Sequence, residues 1–200
     1  MSIVRPQGSV AFDNTGRVVL VSGGANGIGR AICEAFLSSG AAVVCLDVDA
    51  PSGATLPGGV EFIHGDTSCE ADCAGAVAAT IRQHGALDVL VNNAAIQPRD
   101  SYVRVDELSA ELWQRMLDVN LSGYTFMAKY ALRQMREQGS GVVVNLASGQ
   151  AHRTARYVPA YGPMKAANRL QAMQWGGEYA RDGIRVVSVS PDFTSPASAL

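Results

Sequence analysis

Short apolar runs alternate with longer stretches of helical period from Gly16 to Pro191, and this rhythm constrains the fold more than any other feature of the chain. Runs near Val18 to Val21, Ala42 to Asp47, Val60 to His64, Leu87 to Val91, Val142 to Ala147 and Ile184 to Ser190 read as strands. Their Val, Ile and Leu content suits strands buried on both faces. Helical segments fall near Ile28 to Ser39, Cys69 to Gln83, Ala110 to Gln138 and Tyr157 to Arg181, and each stops near a glycine suited to a left-handed cap, Gly40, Gly85, Gly139 or Gly183. Strand, helix and strand in repetition predict a single α/β domain, a doubly wound parallel sheet of about six strands over residues 17–200 behind a polar leader, residues 1–16. At 200 residues, with 48% hydrophobic residues and 21 glycines, the chain can bury one core without disulfides.

Charge and cysteine usage narrow the partners. A formal charge of -2 gives no electrostatic reason to expect nucleic acid or an anionic membrane. No apolar run reaches a membrane span and the start lacks a signal-type apolar stretch, so a cytoplasmic location is the default expectation. Cys69 and Cys73 stand at helical spacing with His64 nearby, yet no CxxC or Cys/His pairing recurs, and the four cysteines read as reduced thiols with no metal site.

The first strand leads into Ser22-Gly23-Gly24-Ala25-Asn26-Gly27-Ile28-Gly29. Glycines there let the backbone turn sharply and approach a pyrophosphate, held by helix N-terminal amides. Strand two ends in Asp47, about twenty residues on, where a carboxylate can accept from ribose hydroxyls and would repel a 2'-phosphate. Neither Asn26 nor Val48 supplies a compensating charge, so NAD is favoured over NADP. Asp47 can also be read as a solvated loop acid beside Asp49.

Strand five ends at Ser148, and thirteen positions later Tyr161 and Lys165 stand one helical turn apart. A neighbouring ammonium favours phenolate, so Lys165 is expected to lower the pKa of Tyr161 and make it a proton carrier. Ser148, at the carboxyl end of its strand, can donate to a substrate oxygen as charge develops on it.

These motifs resemble the short-chain dehydrogenase/reductase family over about residues 16 to 195. Gly23, Gly27, Ile28 and Gly29 match its cofactor loop, with Ser22 for the usual Thr, and Asn92-Asn93-Ala94-Ala95 matches its Asn-Asn-Ala-Gly segment. The resemblance implies a Rossmann-like fold and a catalytic tetrad of Asn120, Ser148, Tyr161 and Lys165, with Asn120 supporting a proton-relay water and Lys165 also binding the nicotinamide ribose. It implies further cofactor contacts from Asn26, Asp66 at the adenine, Thr67, Asn93, Ala94, Pro191 and Thr194. The expected activity is hydride transfer between NAD and a secondary alcohol or ketone. A homodimer or homotetramer through the helices starting near Ala110 and Tyr157 is implied as well.

Departures from the pattern set a competing expectation. Pro191-Asp192 stands where the family has Pro-Gly, and the Asp192 carboxylate would lie near the cofactor phosphates. Val187 replaces a common asparagine, and Pro163 a small residue that the first helical turn can spare. The family continues past this length with a substrate-covering loop, a helix and a seventh strand, so the chain reads as truncated, with strand six an exposed edge. The alternative function is a catalytically impaired member that binds nucleotide without efficient turnover. Gln97, Gln150 and His152 line the substrate pocket or are polar loop residues; the sequence leaves both open.

Overall fold

The computed structural model describes residues 11–191, and all six expected strands are present in one parallel sheet. They are β1 (Val18–Ser22), β2 (Ala42–Asp47), β3 (Val60–His64), β4 (Val89–Asn92), β5 (Gly141–Leu146) and β6 (Ile184–Val189). The order β3-β2-β1-β4-β5-β6 winds outward both ways from β1 and β4. A crevice therefore opens at the carboxyl ends of these two strands, where the loops diverge.

Side-chain alternation along the strands splits the interior into two layers. Leu20, Leu90 and Val143 point to the face covered by α3 (Glu70–His84), α5 (Gly123–Gln138) and the Trp175 and Tyr179 end of α6 (Tyr161–Tyr179). Val19, Val21, Val43 and Val91 point the other way, onto Cys33 and Phe36 of α1 (Gly27–Ser38). The fold is the expected Rossmann-like doubly wound one.

Local details depart from the expected boundaries. A short helix α2 (Ala50–Gly53) follows β2, started by Asp49, whose side chain accepts from Ser52 N–H at 3.1 Å. The single helix expected over residues 110–138 is α4 (Ala110–Leu117), a π-helical turn (Asp118–Ser122) and α5. Tyr157 does not open α6. Its φ of +61° is left-handed, and the helix starts four residues later at Tyr161. Gly40, Gly85, Gly139 and Gly183 all take positive φ close behind their helices.

β6 lies at the edge of the sheet with Val187 and Val189 about half exposed. Among the described residues no helix is long and apolar enough to cross a membrane. The cysteines are free, and among the described residues no cluster of three or more His, Cys, Asp or Glu is gathered. Asp192 and Thr194 lie outside the described residues.

Candidate active site

The loop between β1 and α1 is held from both sides. Gly23 N–H donates to the Leu46 carbonyl at 2.8 Å, and the Asn93 side chain donates to the Gly23 and Ser22 carbonyls at 2.8 and 3.1 Å. Ser22 Oγ accepts from the Asn93 and Ala94 amides at 3.1 and 3.3 Å, so serine supplies this cross-link between β1 and the end of β4. A Cβ on Gly23 would sit 2.7 Å from Ala94 Cα, and one on Gly29 would run into the Gly23 carbonyl oxygen. The Asn26 side chain does not cap α1 but donates to Asp49 Oδ2 at 2.8 Å. The first amides of α1 are thus left for an anion, the arrangement a pyrophosphate needs.

Asp47 is oriented rather than loose. Its Oδ2 accepts from Ala25 N–H and its Oδ1 from Asp49 N–H, both at 3.0 Å, and each oxygen keeps further acceptor capacity. The neighbouring cation Arg30 is taken by Glu34 at 3.0 Å and by the Thr55 carbonyl at 2.6 Å. At the end of β3, Asp66 Oδ1 accepts from Ser68 N–H at 2.8 Å, and Thr67 is buried beside it.

These groups line one cleft of about 570 Å³, within the range of small-molecule sites. It brings together Gly23, Asn26, Gly27, Ile28, Gly29, Asp47, Asp66, Thr67, Asn93, Ala94, Tyr161, Lys165 and Pro191 from the sequence-based set. Ser148 and Asn120 do not line it. Ser148 stands on the adjoining turn, its Oγ accepting from Gln150 N–H at 3.2 Å. Asn120 is fully buried within the π-helical turn: its side chain grips Ile96, accepting from N–H at 2.7 Å and donating to the carbonyl at 2.8 Å. Its own carbonyl accepts from the Asn168 side chain at 2.8 Å. Asn92, Asn145 and Asn168 continue this buried polar chain, Asn92 Nδ2 donating to Asn145 Oδ1 at 2.9 Å and Asn145 Nδ2 to the Asn168 carbonyl at 3.3 Å. Gln150 and His152 line a separate hollow together with Gly162 and Pro163, and His152 meets Ser190 Oγ at 3.1 Å.

The Lys165 ammonium is 1% exposed and donates to the Leu146 carbonyl at 2.7 Å and to Tyr124 Oη at 2.9 Å. It lies 5.6 Å from the Tyr161 ring centre. Burial pulls its pKa down to about 7. The expected lowering of the Tyr161 pKa is reversed: burial, and secondarily Tyr102, push the phenol up. Tyr124 is the missed partner, and nothing in its spacing from Lys165 announces it. Arg115 was missed too; it lines the cleft from α4.

The Lys165 shift sets a pH dependence. Since its folded pKa is about 7 against an ordinary 10.5, between these values the unfolded chain binds more protons and stability rises with pH. Below pH 7 both states are protonated and the cost of burying the charge is constant. In melts of the parent and Lys165→Met, the stability difference should shift toward the parent across that window, by at most ~1.4 kcal/mol per pH unit. A difference independent of pH would contradict the buried ammonium.

Fold and cleft together define a doubly wound α/β protein with a built nucleotide-type cleft at its topological switch point. Residues 17–199 match the short chain dehydrogenase family model, and the chain belongs to that family. It is 36% identical over 185 residues to mouse (Mus musculus) L-fucose dehydrogenase, covering 88% of this chain and 65% of that one. D-threitol dehydrogenase of Mycolicibacterium smegmatis is 34% identical over 196 residues, covering 92% and 73%. The crystal structure of an NAD+-bound xylitol dehydrogenase superposes with a TM-score of 0.85 at 27% identity, covering 88% of this chain and 70% of that one. The chain thus spans about two thirds to three quarters of the length of these relatives.

Proposed function

We propose that the protein is an NAD-dependent oxidoreductase that interconverts a secondary alcohol and a ketone. The observation that carries this reading is one cleft lined both by the glycine loop with Asp47 and by Tyr161 with Lys165. Glycines at 23 and 29, where a Cβ would block the cradle, fit a dinucleotide. Gly23 to Gly29 would hold its pyrophosphate, Asp47 the adenosine ribose, Asp66 and Thr67 the adenine side, and Asn93, Ala94 and Pro191 the nicotinamide side. NAD, when bound, supplies the hydride acceptor.

The chain's own residues manage the proton. Tyr161 exchanges it with the substrate oxygen, and a phenol that holds its proton firmly suits delivery to a carbonyl. Ser148 donates to that oxygen as it gains charge. Lys165 is tied to Leu146 and Tyr124 and keeps donor capacity for the nicotinamide ribose. Asn120 positions the Ile96 wall of the cleft and anchors the polar chain behind Tyr161. Three of the relatives' names specify a sugar or polyol, which supports a polyhydroxylated substrate. Exposed Leu170 and Met173 on α6 support self-association through that helix as a dimer or tetramer.

Cofactor choice is testable directly. Asp47 is fixed at the ribose end and Arg30 is held by Glu34 and Thr55, so NADH should bind at least about tenfold tighter than NADPH, ~1.4 kcal/mol. Fluorescence titration of both measures it, and Asp47→Ala should narrow the gap. Equal affinities for the parent chain would overturn the assignment of Asp47.

A further inference from the structure

Arg115 is exposed on α4, one helical turn before Val119, and both side chains line the main cleft. The same two residues, with Asp66, Ser68, Glu111, Gln114 and Asp118, line a second hollow that opens beside it. Arg115 therefore lies where the two meet, beside Asp66 and Ser68, which follow β3. Among the described residues its guanidinium makes no hydrogen bond or ion pair within the protein, in contrast to Arg30. Among the described residues the other charged groups lining the cleft are Asp47, Asp66 and the buried Lys165, and Arg115 is the exposed cation of that set. A guanidinium is planar, weakly hydrated and stacks on aromatic faces as well as donating from its edge.

Resting on the dinucleotide reading of the cleft, we propose that Arg115 is a cofactor-specificity residue whose guanidinium stacks on the adenine ring and closes the β3 end of the cleft. The adenine enters beside Asp66 and Val119 and meets a flat cation across it. Exposure keeps the contribution modest, because water screens the charge and the side chain must be ordered on binding. The base half of the ligand alone should feel it.

The test is binding of NADH, ADP-ribose and reduced nicotinamide mononucleotide, which lacks the adenosine half, to the parent chain, Arg115→Ala and Arg115→Lys. Alanine at an exposed helical site favours the helix, and melting curves check that both variants fold. Arg115→Ala should weaken NADH and ADP-ribose alike, by roughly two- to fivefold, and leave the mononucleotide unchanged. Arg115→Lys keeps the charge but loses the plane, and should fall near the alanine variant. Unchanged NADH affinity in Arg115→Ala, or an equal loss for the mononucleotide, would overturn the assignment. Full affinity in Arg115→Lys would overturn stacking in favour of simple charge. A parent chain that binds none of the three would instead overturn the dinucleotide reading of the cleft, and Arg115's role with it.

Discussion

Tyr161→Phe should cut turnover by at least about a hundredfold while leaving NADH affinity within a factor of about two. The phenol sits at the first residue of α6, in the wall of the cleft, and packs against the buried cluster of Met116, Ala160 and Met164. Phenylalanine keeps those contacts and removes only the transferable proton, so the loss belongs to chemistry and not to folding. Lys165→Met should behave differently. The ammonium also donates to the Leu146 carbonyl and to Tyr124 Oη, which itself donates to that carbonyl at 3.1 Å, so its removal takes a donor from two buried oxygens and should damage both binding and turnover. Steady-state kinetics with an accepted alcohol, together with NADH titration, separates the two patterns. Near-normal turnover in Tyr161→Phe would remove the tyrosine from the chemistry.

Gly29→Ala should abolish high-affinity NADH binding, with at least a tenfold loss, ~1.4 kcal/mol, and destabilise the fold by about 1–3 kcal/mol. Within a helix, alanine ordinarily gains up to ~1 kcal/mol over glycine. Here its methyl would run into the Gly23 carbonyl oxygen and press the Asn93 side chain that holds the loop. Backbone has to move, and the cradle moves with it. Gly27→Ala is the contrasting case. Nothing lies within 4 Å of its Cβ position, and only the left-handed φ of +52° is strained, costing about 1–2 kcal/mol. Melting and NADH titration of both variants should rank Gly29→Ala well below Gly27→Ala in affinity. The reverse ranking would contradict the steric account of the cradle.

The six strands and the glycine loop were legible because each rests on a local signal: a run of β-branched residues, or glycines where the chain turns back on itself. The pairing of Tyr161 with Lys165 along one helix was legible for the same reason, as periodicity alone puts them on one face. What Lys165 does with its proton was not. Its burial and its bond to Tyr124, forty-one positions away, come from packing α5 and α6 over the sheet. Desolvation then outweighs the attraction that sequence reasoning assigned to the pair. The π-helical turn over Asp118–Ser122 was hidden because one extra residue in a turn barely disturbs the apolar period on either side. That turn nonetheless lets Asn120 face Ile96 and Asn168 at once. Arg115 belongs to no motif, and only the packing of α4 lays it along the cleft wall.

The most direct test of the account is NADH formation by the parent chain given NAD+ and a panel of secondary alcohols, polyols and sugars included, with Tyr161→Phe alongside. The account predicts NADH accumulation with at least one member of the panel and its near-complete loss in the variant. NADH binding with no turnover on any member, or turnover that survives in Tyr161→Phe, would contradict it.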